Sequence, residues 1–523
     1  MLAETLLAEF SSTPMLDYTR PEAEAGMREA IERVRSKLGA TYPLVIGGKR
    51  ITTPETFQSK NPANPEEPVG NFSKATVEHV NEAVAAADRA FPGWSRTAPA
   101  TRAEVLLKAA EILRRRRHEM NATMILEVGK SWPEADGDTA EAIDFLEFYA
   151  REMLRWASPS AHPLTKNPGE VNELVYIPLG VGVVIPPWNF PCAIAMGMTA
   201  ATIVTGNTAI LKPSSDAPLT AWKIFEILEE AGVPAGVLNF LPGPGGTIGD
   251  ALVEHPRVRF VAFTGSMEVG IGINERAARV PKGQIWLKRA ILEMGGKDFT
   301  ILDEDANLEA GVEGVYLGAF GFQGQKCSAC SRAIVHEKLY DEFVERLRAR
   351  TDKTTIGSTE KRDVFLGPVV SASAEKKILE YMEIGKGEGR LISGGGKHSG
   401  PGYFLKPTVI ADVKPTARIA QEEIFGPVLA VIKARSFDEA VGIANGTIYG
   451  LTGSYYSRDR AKLDEAKRRL HVGNLYLNRK CTGALVGIHP FGGFNMSGTD
   501  SKAGGRDYLG LFLQAKSIAE YVG

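Results

Sequence analysis

Apolar residues recur along this chain with two different periods, and the change between them divides the sequence. Between residues 27 and 38 the apolar positions are spaced by three and four, which predicts an amphipathic helix. Residues 43–51 form a β-like segment around the pair Gly47-Gly48, which is typical of a hairpin. Residues 76–157 then predict several amphipathic helices.

From about residue 175, short apolar runs alternate with helical stretches. The runs of the first series lie at residues 181–185, 209–211, 237–241 and 258–263. A second series extends from a strand at 299–302, through a helix at 308–320, to a strand at 473–477, and residues 508–522 predict one more strand. This alternation predicts parallel sheets with crossover helices, and hence an α/β fold with two domains. Because such sheets bind ligands beyond the carboxyl ends of their strands, we expect the chemistry just after each strand.

Charge and composition restrict the class of protein. The 523 residues include 61 Lys and Arg against 63 Asp and Glu, a net charge of −2, and 44% are hydrophobic. These values indicate a globular protein and argue against nucleic acid as a partner. Residues 1–10 lack the features of a signal peptide, and polar residues interrupt the apolar stretch 192–211, so we expect no membrane partner. Four cysteines are too few for a secreted disulfide framework, so we expect a reduced, cytoplasmic protein.

Cys327 is the first candidate for chemistry. It lies between a predicted helix and a predicted strand, and a thiolate there would be a strong nucleophile whose pKa the neighbouring Lys326 could lower. A cysteine taken alone is more often a small buried apolar residue. Cys327 and Cys330 also match a C-x-x-C redox motif, although their flanks are not those of thioredoxins. No second pair of Cys or His completes a zinc site, so we expect no metal.

Other polar residues follow predicted strands in the same way. Glu293 ends an apolar strand and is either a general base with a tuned pKa or a solvated strand-end residue. Asn189 offers an amide that can stabilise an oxyanion, although Asn between prolines is also a common turn residue. Lys212 could hold a ribose or a phosphate, or lie on the surface. Gly265 and Gly270 bracket a helix N-terminus, a natural place for phosphate, but they do not match the G-x-G-x-x-G pattern.

The order of these motifs resembles the aldehyde dehydrogenase superfamily from about residue 43 to 520. The motifs are Pro-Trp-Asn-Phe-Pro at 187–191, Leu-Lys-Pro-Ser at 211–214, Phe-Thr-Gly-Ser at 263–266, Leu-Glu-Met-Gly-Gly-Lys at 292–297, Gly-Gln-Lys-Cys-Ser-Ala at 324–329 and Glu-Glu-Ile-Phe-Gly-Pro-Val at 422–428. Within the superfamily, segments 140–145, 325–332 and 480–487 resemble the monofunctional Δ1-pyrroline-5-carboxylate dehydrogenase branch. That branch oxidises L-glutamate γ-semialdehyde to L-glutamate in proline degradation.

The resemblance implies a division of the chain and a mechanism. It implies a Rossmann-type cofactor domain (1–157 and 177–292), a catalytic α/β domain (293–490) and a small β-flap for oligomerisation (158–176 and 491–523). By the same resemblance Cys327 attacks the aldehyde, and the Asn189 amide and the Cys327 backbone N–H hold the oxyanion. Hydride then passes to a nicotinamide, and Glu293 activates the water that releases the acid. No metal takes part.

The resemblance also implies a cofactor site. Its residues would be Ile185, Pro187, Trp188, Asn189, Lys212, Ser215, Gly245, Gly249, Phe263, Thr264, Gly265, Ser266, Val269, Glu293, Met294, Gly295, Glu423 and Phe425. Ser215 stands where many NAD-preferring members carry a Glu, so a carboxylate that would repel the 2′-phosphate of NADP is missing. We expect NAD, with NADP as the alternative.

The substrate implied by the resemblance is a small amino-acid semialdehyde. Its site would comprise Glu141, Phe190, Lys326, Ser328, Gly483, Ala484 and Phe491. Ser328 and the backbone amides of Gly483 and Ala484 would bind the α-carboxylate, while Phe190 and Phe491 would flank the aliphatic chain. Glu141 would shape the opposite side of the pocket.

Three alternatives stay open at this point. The first is a dehydrogenase of another ω-carboxy semialdehyde, such as succinate semialdehyde. The second is a non-catalytic binding protein on the same scaffold, and the third is a dithiol redox protein. In each case the exposed flap strand favours a homo-oligomer, because an unpaired strand edge binds another strand.

Overall fold

The computed structural model describes residues 8–523, apart from the side chain of Pro159. Two expectations involve residues 1–7, namely the lack of a signal peptide in residues 1–10 and the start of the cofactor domain at residue 1. For residues 1–7, both lie outside the described residues. The helices in the described range are α1 (Pro21–Arg35), α2 (Val77–Ser95), α3 (Pro99–Arg115), α4 (Arg117–Val128), α5 (Trp132–Ala157), α6 (Ala193–Val204), α7 (Pro218–Ala231), α8 (Asp250–Glu254), α9 (Met267–Ala278), α10 (Leu308–Phe320), α11 (Glu337–Thr351), α12 (Ala372–Glu388), α13 (Arg418–Gln421), α14 (Phe437–Asn445) and α15 (Arg460–Arg469).

The strands alternate with these helices through most of the chain. They are β1 (Thr41–Tyr42), β2 (Leu44–Ile46), β3 (Lys49–Ile51), β4 (Thr56–Asn61), β5 (Asn64–Ser73), β6 (Glu170–Pro178), β7 (Val181–Ile185), β8 (Thr208–Leu211), β9 (Leu238–Phe240), β10 (Val258–Thr264), β11 (Arg289–Glu293), β12 (Asp298–Leu302), β13 (Cys330–His336), β14 (Arg390–Ser393), β15 (Thr408–Ala411), β16 (Val428–Ala434), β17 (Tyr449–Gly450), β18 (Thr452–Tyr456), β19 (Asn474–Leu477), β20 (Phe494–Asn495) and β21 (Leu513–Tyr521).

The first large sheet has seven strands in the order β11-β10-β7-β8-β9-β2-β3. Its first five strands are parallel, and the hairpin β2–β3 adds two antiparallel strands at one edge. The parallel strands are almost wholly buried, which explains why they read as short apolar runs in the sequence. Register fixes the carboxyl ends of three strands side by side, because Ile185 pairs with Phe263 and Thr264 pairs with Glu293.

The second large sheet also has seven strands, in the order β14-β15-β16-β13-β12-β18-β19. Only its edge strand β14 is antiparallel to its neighbour. Helix α10 leads toward this sheet through the 3₁₀ turn Gly321–Gly324, and the chain then enters β13 at Cys330. Cys327 therefore lies in the short connection between a helix and a strand, as the sequence predicts.

Strands β6 and β21 form a separate antiparallel ribbon, with register running from Leu513–Pro178 to Tyr521–Glu170. The sequence predicted one strand over 508–522, but the structure has a 3₁₀ turn over Tyr508–Phe512 before β21. The reason is packing, because Tyr508 stacks on Tyr149 at 5.5 Å and is buried there. Between residues 8 and 523, no helix combines the length and the apolar character needed to cross a membrane.

Candidate active site

The first sheet presents several of the expected cofactor residues along one edge. Ile185, Thr264 and Glu293 end neighbouring strands, and Lys212 follows β8 with its backbone N–H bonded to Val184. Ser266 caps helix α9, its hydroxyl accepting from the N–H of Val269. The edge thus brings together residues that lie far apart in the sequence, as expected for the carboxyl ends of a parallel sheet.

Lys212 is a buried ammonium at this edge, with 5% of its surface exposed. Within the described chain its Nζ donates to the carbonyl of Pro213 alone, at 3.2 Å. Burial lowers the pKa of Lys212 to about 8. A cation kept this dry with one weak partner is suited to receive further acceptor oxygens.

Cys327 follows a turn with an uncommon backbone. Phe322, Gln323 and Gly324 have φ values of 49°, 58° and 67° in succession. The left-handed region costs a residue with a Cβ roughly 1–2 kcal/mol, so the turn persists only because its surroundings hold it. At Gly324 a Cβ would lie 2.4 Å from the carbonyl oxygen of Gly426, so only glycine is accommodated.

Two glutamine side chains hold this turn. Gln323 Nε2 donates to the carbonyls of Gly129 at 3.0 Å and Pro368 at 2.7 Å, and the residue is 1% exposed. Gln325 Oε1 accepts from the N–H of Val370 at 2.9 Å. No pattern in the sequence distinguishes either glutamine, because their hydrogen-bond partners lie far away in the chain.

Asn189 reaches the same loop from the first domain. Its Nδ2 donates to the carbonyl of Gln325 at 3.0 Å, and the side chain is 4% exposed. The amide therefore contacts the residue that lies two positions before Cys327 in the chain, and one of its two hydrogens is engaged. The second hydrogen is available to an oxyanion that forms beside Cys327.

The carboxylate of Glu293 lies in a buried environment. Oε1 accepts a hydrogen bond from the hydroxyl of Ser501, whereas Oε2 is buried and has no hydrogen-bond partner within residues 8–523. Burial raises the pKa of Glu293 to about 8, against the opposing effect of the Ser501 hydrogen bonds. A carboxyl that titrates near neutral pH is suited to general acid–base work.

The thiol of Cys327 is protonated at neutral pH in this state. Burial raises the pKa of Cys327 well above its ordinary value, and the carboxylates of Asp298, Glu293 and Glu423 raise it further. Because the charge of Glu293 affects the pKa of Cys327, the thiol and this carboxylate share one electrostatic environment. Cys327 is partly exposed, whereas the thiols of Cys192, Cys330 and Cys481 are buried.

The expectation that Lys326 lowers the pKa of the thiol is wrong. The Lys326 ammonium forms an ion pair with Glu134 Oε1 at 2.6 Å. Its charge is neutralised by that carboxylate on α5 rather than directed at Cys327, so burial decides the thiol's pKa.

The two domains meet around Glu423 and Phe425. Glu423 Oε1 accepts from the backbone N–H of Gly296 at 3.0 Å, and a Cβ on Gly295 would lie 2.3 Å from the same carboxylate. The ring of Phe425 packs edge-on against Trp188 with 5.5 Å between centroids. Residues expected at the cofactor therefore converge from both domains next to Cys327.

The residues expected at the substrate lie on two sides of the loop that carries Cys327. Phe190 packs against the ammonium of Lys130, which lies 3.9 Å from the ring centroid and pairs with Asp138 at 3.1 Å. Burial and the charge of Asp138 raise the pKa of the nearby Glu141 to about 8.

On the other side, Ser328 is 8% exposed, and its backbone carbonyl accepts from the thiol of Cys481 at 3.5 Å. Gly483 has a φ of 85°, and Arg479 closes its turn by donating to the carbonyls of Thr482 and Gly483. Ala484 follows within this turn, and the backbone of Phe491 pairs with Ala503.

Cys330 is directed away from this cleft. Its thiol is buried and lies 3.3 Å from the hydroxyl of Thr300 on β12. A hydrogen bond from Cys481 lowers the pKa of Cys330. These contacts place Cys330 in the core of the second sheet, which argues against a catalytic Cys327–Cys330 dithiol.

Comparison with known proteins assigns the family. The family model for the aldehyde dehydrogenase family matches residues 50–518. The chain belongs to the aldehyde dehydrogenase family. This assignment confirms the predicted α/β fold class with its cofactor and catalytic units.

The most similar relatives within the family share one name. The 1-pyrroline-5-carboxylate dehydrogenase of Geobacillus sp. (strain WCH70) is 55% identical over 515 residues, covering 98% of this chain and 100% of that protein. A solved structure of 1-pyrroline-5-carboxylate dehydrogenase from Thermus with bound NAD matches with a TM-score of 0.97 at 52% identity, over 98% and 99% of the two chains. Proline utilization A from Bdellovibrio bacteriovorus matches with a TM-score of 0.96 at 42% identity, covering 98% of this chain and 53% of that one.

Proposed function

We propose that this chain is an NAD-dependent dehydrogenase that oxidises L-glutamate γ-semialdehyde, which equilibrates with Δ1-pyrroline-5-carboxylate, to L-glutamate. The observation that carries the proposal is the convergence of a thiol, an amide and a high-pKa carboxyl, Cys327, Asn189 and Glu293, in a chain 55% identical to 1-pyrroline-5-carboxylate dehydrogenases. The proposed reaction is the second step of proline degradation.

In the first half of the reaction Cys327 is the nucleophile. Its sulfur bonds to the aldehyde carbon while the thiol proton passes to a water molecule and so to solvent. The new oxyanion lies between the free Asn189 amide hydrogen and the backbone N–H of Cys327. The loss of one such donor typically costs about 10²–10³ in rate.

The covalent adduct makes hydride transfer feasible, because an aldehyde carries no good hydride until a nucleophile has added. NAD, when bound, supplies the hydride acceptor. The product on the protein is a thioester at Cys327.

In the second half Glu293 acts as the general base. It accepts a proton from water, and the water oxygen attacks the thioester carbon. The C–S bond breaks, its electron pair returns to the sulfur of Cys327, and the carboxylic acid leaves.

The residues at the sheet edge are suited to a dinucleotide. The buried Lys212 ammonium has a single weak partner among the described residues, which suits a ribose hydroxyl. A Cβ added at Gly245 or Gly249 would contact nothing within 4 Å, so that side of the site is open. Ser215 brings no carboxylate to this edge, so NADP is the second candidate. The Thermus relative with bound NAD favours NAD.

The turn at Gly483 is the proposed anchor for the substrate's α-carboxylate. Its positive φ is typical of turns whose successive backbone N–H groups bind anions. Ser328 would add a hydroxyl, and Phe190 and Phe491 would flank the aliphatic chain. Glu141 and Lys326 would line the remaining wall.

We propose the division into a cofactor domain (residues 1–157 and 177–292), a catalytic domain (293–490) and a bridging segment (158–176 and 491–523). We also propose a homo-oligomer in a reducing cytoplasm. The two-stranded ribbon β6–β21 has free edges and exposed Ile518 and Tyr521, which favours pairing with a second copy. Sedimentation at working concentration should give a mass above 56.5 kDa, and a pure monomer would contradict this part.

A substrate and cofactor panel tests the proposal. Reduced nicotinamide would be followed by absorbance with L-glutamate γ-semialdehyde, succinate semialdehyde and propanal, each with NAD and with NADP. We expect the highest kcat/KM for L-glutamate γ-semialdehyde with NAD. A preference for succinate semialdehyde would overturn the substrate assignment, and inactivity with all three would overturn the enzyme assignment.

A further inference from the structure

Ser501 contacts the carboxyl group proposed to act as the base, although it lies 208 residues further along the chain. The Ser501 hydroxyl donates to Glu293 Oε1, and the backbone N–H of Ser501 also bonds to the Glu293 carboxylate. Ser501 is 4% exposed, so water does not compete for this contact. Nothing in its sequence pattern distinguishes it from an ordinary loop serine.

The segment 497–502 is fastened to strand β11 on both sides of Glu293. Before it, Leu292 exchanges hydrogen bonds with Thr499: the N–H of Leu292 donates to the Thr499 hydroxyl at 3.0 Å, and the N–H of Thr499 donates to the Leu292 carbonyl at 2.9 Å. After it, the N–H of Met294 donates to the carbonyl of Ser497 at 2.8 Å. The two backbone hydrogen bonds, from Thr499 to Leu292 and from Met294 to Ser497, fix the distance between Glu293 and Ser501.

The backbone that presents Ser501 is strained on both sides. Asp500 and Lys502 have φ values of 51° and 49°. Lys502 is held there by its ammonium, which donates to the carbonyls of Gly473 at 2.8 Å and Gly492 at 2.7 Å. Strain of this kind persists where the surrounding contacts over-determine the conformation, and such places cluster at functional sites.

We propose that Ser501 is a positioning residue that holds Glu293 by Oε1 and so directs Oε2 to the water that hydrolyses the Cys327 thioester. The two carboxylate oxygens support this division, because Oε1 accepts from the Ser501 hydroxyl and Oε2 is buried without a partner in the described chain. In the hydrolytic step the water's proton passes to Oε2, its oxygen bonds to the thioester carbon, and the C–S pair returns to Cys327. Ser501 keeps its own proton throughout.

The inference rests on the proposed role of Glu293 and can be tested without the physiological substrate. An activated acetyl ester would acetylate Cys327 in the full chain, and intact mass spectrometry would follow the loss of the acetyl group at different pH values. Because the hydrogen bond from the Ser501 hydroxyl favours the charged carboxylate, its removal raises the pKa of Glu293. In Ser501→Ala we expect acetyl loss at neutral pH to slow by about tenfold or more, and its acid limb to move to higher pH by about one unit.

Two further variants separate positioning from a merely structural role. Ser501→Thr keeps the hydroxyl and should restore the position of the acid limb. Thr499→Val removes a hydroxyl from the same segment that contacts backbone and not the carboxylate, so its acid limb should stay at the wild-type pH. If Ser501→Ala does not fold, Ser501→Gly gives the same two readouts.

An unshifted acid limb in the Ser501 variant, with acetyl loss within about twofold of wild type, would overturn the inference. So would an equal shift in Thr499→Val. If wild-type Cys327 takes up the acetyl group but the chain does not oxidise L-glutamate γ-semialdehyde, the proposed substrate fails while the role of Ser501 is still decided by the acetyl assay.

Discussion

The amide of Gln323 should hold the nucleophile loop in place, and Gln323→Leu isolates that contribution. Leucine has a similar size, and it meets the same left-handed backbone cost at φ 58° as glutamine does. The substitution removes the Nε2 hydrogen bonds to the carbonyls of Gly129 and Pro368. Gln323 Oε1 has no partner among the described residues, so its loss adds no broken bond.

The magnitude follows from the burial of the site. Gln323 is 1% exposed, so water does not replace the lost donor at either carbonyl. A buried acceptor left unsatisfied costs about 1–3 kcal/mol, and two of them give about 2–6 kcal/mol. Because Cys327 lies four residues further on, the same loosening should misplace the thiol and lower kcat by about tenfold or more.

Denaturant unfolding and iodoacetamide labelling measure the two effects. Gln58→Leu is the matched control, because this exposed glutamine donates only to Asn71, and we expect its unfolding free energy to change by less than about 0.5 kcal/mol. In Gln323→Leu we expect a loss of about 2–6 kcal/mol in unfolding free energy and an altered rate of Cys327 labelling. The reasoning is refuted if Gln323→Leu matches Gln58→Leu in unfolding free energy and matches wild type in kcat and labelling rate.

Three further substitutions test the other parts of the site. Cys330→Ala should retain most of the NADH production, since this thiol lies in the core beside Thr300, whereas Cys327→Ala should abolish it; equal losses would favour the dithiol alternative. Gly483→Val should raise the KM for L-glutamate γ-semialdehyde by about tenfold or more, because a β-branched residue disfavours a φ of 85°. It should leave kcat/KM for propanal within about twofold. An equal loss of activity on both aldehydes would show that this turn does not bind the carboxylate. Lys212→Met should raise the KM for NAD and leave the melting temperature equal or higher, because a buried ammonium whose pKa is lowered to about 8 opposes folding at neutral pH; an unchanged KM would exclude Lys212 from the cofactor site.

Much of the fold follows from the period of the apolar residues. The helix predicted over 308–320 has the same bounds in the structure, and the run predicted at 181–185 is strand β7. Both succeed because a buried parallel strand is apolar on both faces, and a covering helix is apolar along one stripe.

The sequence did not predict strands β4 and β5, which pair as an antiparallel hairpin. Their segment, residues 56–73, contains charged residues and three prolines, and only part of β5 is buried. A strand of this kind is defined by its hydrogen-bonded neighbours rather than by its own pattern of apolar residues.

The predicted site shows the same limit at the level of single residues. Motif order indicated Cys327, Glu293 and Asn189. Glu293 ends β11 and Asn189 follows β7, at the edge where parallel sheets bind ligands, whereas Cys327 follows helix α10. The supporting residues Gln323 and Ser501 could not be found this way, since their roles come from carbonyls and a carboxylate that distant segments bring to them. The effect of Lys326 was misjudged for a related reason: its nearest charge is Glu134, which is 192 residues away in the chain.

The most direct test of the account is to trap the acyl group on Cys327. Glu293→Gln would be mixed with NAD and L-glutamate γ-semialdehyde, and the protein would be examined by intact mass and peptide mapping. We predict one equivalent of NADH and a stable glutamyl adduct on the peptide that contains Cys327, because the glutamine cannot take the proton of the hydrolytic water. An adduct on Cys330, or continued turnover without any adduct, would contradict the central claim that Cys327 forms a thioester which Glu293 hydrolyses.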